Sequence, residues 1–123
     1  MSGDNYCLDT NILIYLLNGD KTLIEKVQSK VIYISFITEI ELLSHPTITE
    51  EEKEIIRVML RDITIIEMNP TIKLRVIELR RKFRLKIPDA IVLATAEYLK
   101  MPLFTTDKDF QQVTDSNVLL YEL

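Results

Sequence analysis

The sequence has few of the residues on which many enzyme sites depend. Its only cysteine is Cys7 and its only histidine is His45. An intramolecular disulfide, a zinc site made of several thiolates and a His–His metal motif are therefore excluded. The two glycines, Gly3 and Gly19, are too few for a glycine-rich nucleotide-binding loop. Any metal site must be built from oxygen ligands, which suit Mg²⁺, Mn²⁺ or Ca²⁺.

Long apolar runs are also missing. The longest, Ile12–Leu17, has six residues, whereas a membrane span needs about 20. The N-terminal residues do not resemble a signal peptide, because no basic segment comes first and Asp4 and Asp9 interrupt the apolar stretch. We therefore expect a cytoplasmic protein without membrane contact.

The composition is typical of one globular domain. The 123 residues are 47% hydrophobic and 28% charged, which is enough apolar material for a core without disulfides. No repeat, linker or low-complexity tract divides the chain, so a single domain over residues 1–123 is expected. Asp and Glu number 19 against 15 Lys and Arg, giving a net charge of −4. Carboxylates are thus the abundant source of metal-binding groups.

Short apolar runs alternate with longer segments of helical periodicity. The short runs predict strands at Tyr6–Leu8, Val31–Ile34, Ile63–Glu67, Pro102–Thr105 and Val118–Tyr121. Helices are predicted between them, over Ile12–Leu17, over Thr38–Leu43, and after Thr49, Asn69 and Pro88. Such alternation predicts a parallel sheet with helices on both faces.

Two of the helices carry clear signals at their starts. Thr49 with Glu52 matches a capping box, and Asn69 supplies a cap residue before Pro70 in the first turn. Apolar spacing predicts which residues of these two helices face the core: Ile55, Ile56, Met59 and Leu60 in the first, and Ile72, Val76, Leu79 and Phe83 in the second.

Acidic residues follow three of the predicted strands, and another opens a helix. Asp9 comes directly after the first strand, and Glu41 lies three residues beyond Thr38 in the segment after the second. Asp107 and Asp109 follow the fourth strand, and the helix after Pro88 begins with an acid at position 89. Ligands of parallel α/β sheets bind beyond the carboxyl ends of the strands, so these acids are expected to meet at one edge.

Clustered carboxylates repel one another unless a divalent cation lies between them. Such a cation polarises a phosphoryl oxygen and lowers the pKa of bound water, which makes phosphodiester hydrolysis the natural chemistry of the site. Taken singly, each acid has a simpler interpretation: Asp9 as a helix N-cap, Asp89 as a first-turn acid, Glu41 as a solvated helix residue, Asp107 and Asp109 as turn residues. Together, they are not explained by these separate roles.

Other α/β classes also place acids at a sheet edge. A haloacid-dehalogenase-like phosphatase needs a second aspartate two residues after the first, where this chain has Asn11. A response-regulator receiver needs paired acids near the first strand and a late lysine, and Asp4 lies too early for that role. A binding module with an acidic pocket and no catalytic activity stays open.

Four segments resemble the motifs of the PIN-domain nucleases, especially VapC-type toxins: YCLDTNILIYLL, SFITEIEL, IPDAIVLATA and LFTTDKDF. They occur in the family's order and span residues 6–110. The resemblance implies a three-layer α/β/α fold with a central five-stranded parallel sheet, strand order 3-2-1-4-5. It also implies a metal-dependent endoribonuclease that uses Mg²⁺ or Mn²⁺, as the toxin of a type II toxin–antitoxin pair. A PIN nuclease of RNA processing without an antitoxin is the alternative within the family.

The resemblance also assigns residues and partners. It implies that the metal is held, and water positioned for attack on RNA, by Asp9, Glu41, Asp89 and Asp107, with Asp109 as a further ligand whose role could be exchanged with that of Asp107. Glu41 is preferred to Glu39 because Thr38 and Glu41 satisfy the family pattern Thr-x-x-Glu. Supporting hydrogen bonds are expected from Asn11, Thr38 and Thr105. Similar proteins are commonly homodimers, inhibited by an antitoxin whose tail enters the acidic pocket.

A basic run ends just before Asp89, despite the net negative charge. The candidates for RNA phosphate binding in it are Arg80, Arg81, Arg84 and Lys86. The alternative is a solvated helix face that balances acidic neighbours.

Overall fold

Five parallel strands form the centre of the fold, which a computed structural model describes for residues 4–122. The strands are β1 (Asn5–Leu8), β2 (Val31–Ser35), β3 (Thr64–Ile66), β4 (Leu103–Thr105) and β5 (Val118–Leu120). Their spatial order is β3-β2-β1-β4-β5, and every pairing is parallel. This confirms the expected strand order, with β1 in the middle and Cys7 paired with Tyr33 on one side and with Leu103 on the other.

Helices and one short 3₁₀ helix connect the strands. They are α1 (Thr10–Leu17), α2 (Lys21–Val27), α3 (Phe36–Leu43), α4 (Glu50–Leu60), α5 (Pro70–Lys82), α6 (Ile87–Leu99) and the 3₁₀ helix Lys108–Gln112. The capping box of Thr49 and Glu52 is confirmed, with both of its hydrogen bonds present. Asn69 caps α5 by accepting from the backbone N–H of Ile72 at 2.9 Å. In the described residues, none of the helices is both long enough and apolar enough to cross a membrane.

Alternate residues of the strands pack on opposite faces of the sheet. Cys7 and Leu103 face one core, which α5 and α6 cover. Leu8 and Phe104 face the other core, which α1, α2 and α4 cover. The buried sheet and the two helical layers confirm the three-layer architecture.

The helix α6 is buried along most of its length. All residues from 90 to 96 are buried, since the helix packs against both the sheet and α5. Its first turn opens at the carboxyl ends of the strands, where Asp89 lies. A helix held this firmly fixes the position of its first-turn acid.

Three details differ from the sequence predictions. Ile55 is 54% exposed rather than inward, because Ile56 and Leu60, one turn apart, form the face of α4 that reaches the core. Phe83 lies just beyond the end of α5 in extended backbone and is only half-buried. The helix α2 was not predicted, because its short sequence buries only Leu23.

Candidate active site

Asp9 connects the central strand to the first helix and is held at both carboxylate oxygens. The backbone N–H of Thr10 donates to Oδ1 at 2.8 Å, and the hydroxyl of Thr105 donates to Oδ2 at 2.6 Å. Asp9 is 7% exposed. Burial raises its pKa, the two hydrogen bonds oppose that rise, and the negative charges of Asp107 and Glu41 add to it. Asp9 is therefore both the N-cap of α1 and a buried carboxylate at the sheet edge.

Thr105, at the end of β4, links two acids. Besides donating to Asp9, its hydroxyl oxygen accepts from the backbone N–H of Asp107 at 3.0 Å. Asp107 in turn accepts from the backbone N–H of Asp109 at 2.8 Å and so caps the 3₁₀ helix. The charge of Asp107 raises the pKa of Asp9 and of Asp89. Of Asp107 and Asp109, it is therefore Asp107 whose charge reaches the other acids.

Glu41 reaches this edge from α3. Its Oε1 accepts from the hydroxyl of Thr10 at 2.6 Å, and its charge raises the pKa of Asp9 and of Asp89. Thr38 is buried one turn earlier on the same helix, with its hydroxyl oxygen 3.3 Å from that of Thr10. Glu39 takes no part in these contacts. The structure thus brings Glu41 rather than Glu39 to the other acids.

Asp89 completes the group from the first turn of α6. Its pKa is raised to about 6, first by burial and then by the charges of Asp9, Asp107 and Glu41, while Lys86 lowers it. Three predicted acids from three other segments therefore act electrostatically on Asp89 at one edge of the sheet.

The chemistry of this group fits a hard divalent cation. All the donors are carboxylate oxygens, and Lys86 is the cation that partly offsets their charge on Asp89. Between residues 4 and 122, no three acidic, histidine or cysteine side chains form a preformed ligand group. Mg²⁺ does not need one, because it usually keeps several waters and binds through one or two carboxylates. The donors present therefore suit Mg²⁺ or Mn²⁺.

Asn11 is a predicted supporting residue of the site. Asn11 is exposed on the first turn of α1, and its side chain makes no hydrogen bond to any residue from 4 to 122, because the core-facing positions of that turn are Ile12 and Leu13. A supporting role of Asn11 at the site stays a prediction.

The basic residues are all exposed, but they differ in what they contact. Arg80 donates through Nε to the carbonyl of Leu85 at 3.3 Å, and Arg81 lies beside it in the last turn of α5. The backbone N–H of Arg84 donates to Oε1 of Gln112 at 2.9 Å. Lys86 is the residue of this group whose charge acts on Asp89.

Sequence reasoning missed one contact of this site, the bond from the Thr10 hydroxyl to Glu41. The sequence pattern assigns no role to the Thr10 side chain. The partners are 31 positions apart, so no local pattern signals the bond; only the pairing of β1 with β2 brings α1 and α3 together.

An apolar groove of about 400 Å³ lies next to Glu41, between α1, α3 and α4. Its apolar lining comprises Ile14, Leu17, Leu42, Ile48, Ile55 and Ile56. Ile14 and Ile55 are substantially exposed in it.

Comparisons with known proteins agree with this architecture. The family model of the PIN domain matches residues 6–120. A chain of a toxin–antitoxin complex from Klebsiella pneumoniae superimposes with a TM-score of 0.84 at 31% identity, covering 96% of this chain and 99% of that one. A chain of VapBC-1 from nontypeable Haemophilus influenzae superimposes with a TM-score of 0.82 at 25% identity, covering 94% and 97%.

A third similar structure shows the fold alone. A chain of VapBC2 from Rickettsia felis, crystallised with a DNA fragment from its promoter, gives a TM-score of 0.84 at 20% identity over 96% of this chain and 99% of that one. A sequence comparison with curated proteins gave no significant match.

Proposed function

The chain belongs to the PIN-domain family, and on that premise we propose that it is a metal-dependent endoribonuclease that hydrolyses RNA phosphodiester bonds. The observation that carries the proposal is the convergence of Asp9, Glu41, Asp89 and Asp107, whose mutual repulsion contributes to the raised pKa of Asp9 and of Asp89. A divalent cation removes that repulsion, and phosphodiester hydrolysis is the chemistry that such a site performs.

The proposed ligands of Mg²⁺ or Mn²⁺ are Asp9, Glu41, Asp89 and Asp107, with Asp109 as a more distant candidate. The bound cation would polarise the phosphate and lower the pKa of a water molecule. Thr10 and Thr105 fix both oxygens of Asp9, so its carboxylate keeps one orientation. In this proposal Lys86 binds an RNA phosphate near Asp89, and Arg80, Arg81 and Arg84 bind phosphates farther along the RNA.

The test is cleavage of total cellular RNA in Mg²⁺, in Mn²⁺ and in EDTA by wild type, Glu41→Gln and Glu39→Gln. We expect cleavage by wild type that EDTA abolishes and a large loss in Glu41→Gln. Glu39→Gln is the matched control, because it removes the same charge from the same helix and should stay active. Cleavage that survives EDTA, or equal activity of the two variants, would contradict the proposal.

We further propose that the nuclease is a toxin with a cognate antitoxin. The proposal is supported by the similar chains, which come from toxin–antitoxin complexes, and by the apolar groove that leads to Glu41. An antitoxin segment with apolar side chains and one basic residue would complement this groove and the adjacent carboxylate. Ile55→Glu should then weaken antitoxin binding in calorimetry, whereas Val58→Glu, on the same helix but outside the lining of the groove, should not. Equal effects would place the antitoxin elsewhere.

A homodimer is the proposed assembly of the free protein. Its support is an exposed apolar surface of α5, where Leu74 and Ile77 are 64% and 52% exposed, beside Tyr98 of α6. Analytical ultracentrifugation should give a dimer for wild type and a monomer for Leu74→Glu/Ile77→Glu. A wild-type monomer at high micromolar concentration would rule the assembly out.

A further inference from the structure

The side chain of Thr10 lies between two elements that carry acids of the site. Its backbone N–H binds Asp9, and its hydroxyl binds Oε1 of Glu41 at 2.6 Å. The same hydroxyl oxygen is 3.3 Å from that of Thr38, which is buried. One residue of α1 therefore contacts both Asp9, at the end of β1, and α3.

The direction of these bonds follows from the number of protons. A hydroxyl has one proton, and a carboxylate can only accept. Thr10 therefore donates to Glu41, and its oxygen is left to accept from Thr38. Thr38, rigid in the core, orients Thr10, and Thr10 orients Glu41.

Glu41 needs such a restraint. Its side chain is long and exposed, and its charge acts on the like charges of Asp9 and Asp89, which repel it. Without a donor, the carboxylate would turn toward solvent, where more rotamers are available to it. Hydrogen bonds of this kind around a metal ligand typically change metal affinity about 10–100-fold.

We propose that Thr10 is a positioning residue, whose hydroxyl holds the Glu41 carboxylate at the candidate metal site. The inference rests on the proposed metal-dependent function for its consequence, but the restraint itself is a hydrogen bond between two side chains of the protein and can be tested without metal. The backbone bond from Thr10 to Asp9 does not depend on the side chain, so a substitution at position 10 can remove the hydroxyl alone.

The test compares Thr10→Val, which keeps the shape, with Thr10→Ser, which keeps the hydroxyl. Calorimetric titration with Mn²⁺ should show binding about tenfold weaker in Thr10→Val and close to wild type in Thr10→Ser. Thr71→Val, at the start of α5, is the control and should bind as wild type does. Without metal, Thr10→Ser and Thr71→Val should melt close to wild type, whereas Thr10→Val should melt lower, because the buried hydroxyl of Thr38 loses its partner.

A double-mutant cycle separates positioning from a general structural effect. Because Thr10 acts through Glu41, Thr10→Val should weaken Mn²⁺ binding little further in a Glu41→Gln background. An equal loss in both backgrounds, or wild-type affinity of Thr10→Val, would overturn the inference.

A metal-independent measurement separates this inference from the proposed function. Without metal, the ¹³Cδ chemical shift of Glu41 should differ from that of wild type in Thr10→Val and match that of wild type in Thr10→Ser. Failure of wild type to bind Mn²⁺ would overturn the metal site, and an unchanged Glu41 signal in Thr10→Val would overturn the restraint.

Discussion

The hydroxyl of Thr105 donates a 2.6 Å hydrogen bond to Asp9 across 96 positions of the sequence. Both residues are buried. Asp9 directly follows β1 and Thr105 ends β4, and these neighbouring strands pair Leu8 with Phe104 just before the two residues. The same hydroxyl accepts from the N–H of Asp107. Adjacent parallel strands thus bring two acids and the hydroxyl between them to one edge.

Thr105→Val should destabilise the protein by about 1–3 kcal/mol, because it leaves Asp9 buried with one donor fewer and the N–H of Asp107 without its acceptor. The pKa of Asp9 should rise further. Urea unfolding of the metal-free protein at neutral pH measures the loss. Thr95→Val is the control: this residue is equally buried, but its hydroxyl binds only the carbonyl of Ile91 in its own helix. Similar losses in both would mean that the bond to the carboxylate is not the cause.

Acidification should stabilise the metal-free protein through Asp89. Its pKa is about 6 in the folded protein, against about 3.9 in an unfolded chain. Between these values the native state binds more protons, so this contribution is complete below about pH 4 and is lost as the pH rises through about 6. The unfolding free energy of wild type minus that of Asp89→Asn should therefore decrease from pH 4 to pH 7 in EDTA. A difference that stays constant or rises would contradict the raised pKa.

Much of the fold could be predicted because its signals are local. Short apolar runs and helix caps, such as Thr49 with Glu52, depend on residues close in sequence. The edge position of Asp9 and Asp107 follows from the strand that precedes each. The choice of Glu41 over Glu39 came from the resemblance, because Thr38 and Glu41 match the family pattern Thr-x-x-Glu.

What could not be predicted depends on packing between distant segments. The exposed position of Asn11 could not be read from its neighbours in the sequence. The Thr10 hydroxyl was overlooked because its partner lies on another helix. Ile55 was predicted to face the core from apolar spacing alone. That spacing does not show which side of the apolar face the rest of the fold will cover.

Metal binding should distinguish Asp107 from Asp109. With saturating Mn²⁺, the melting temperature of wild type should rise by several degrees, since a ligand at about 100 times its Kd stabilises a protein by about 2.7 kcal/mol. Asp107→Asn should lose most of this gain, whereas Asp109→Asn should keep it, because it is the charge of Asp107 that acts on Asp9 and Asp89. Asparagine is also a good cap residue, so Asp107→Asn should still fold. A larger loss in Asp109→Asn would exchange the two roles.

RNA binding should depend more on Lys86 than on Arg81. The charge of Lys86 acts on Asp89, whereas Arg81 lies in the last turn of α5, where a cation already complements the helix dipole. In a Glu41→Gln background with Mg²⁺, Lys86→Gln should weaken RNA binding and reduce the slope of log affinity against log salt by about 0.7, as expected for one lost contact to single-stranded phosphate. Fluorescence anisotropy at several salt concentrations measures both. Arg81→Gln should leave the slope closer to that of the Glu41→Gln parent. The same decrease in Lys86→Gln and Arg81→Gln would mean that RNA contacts the whole basic run rather than Lys86 in particular.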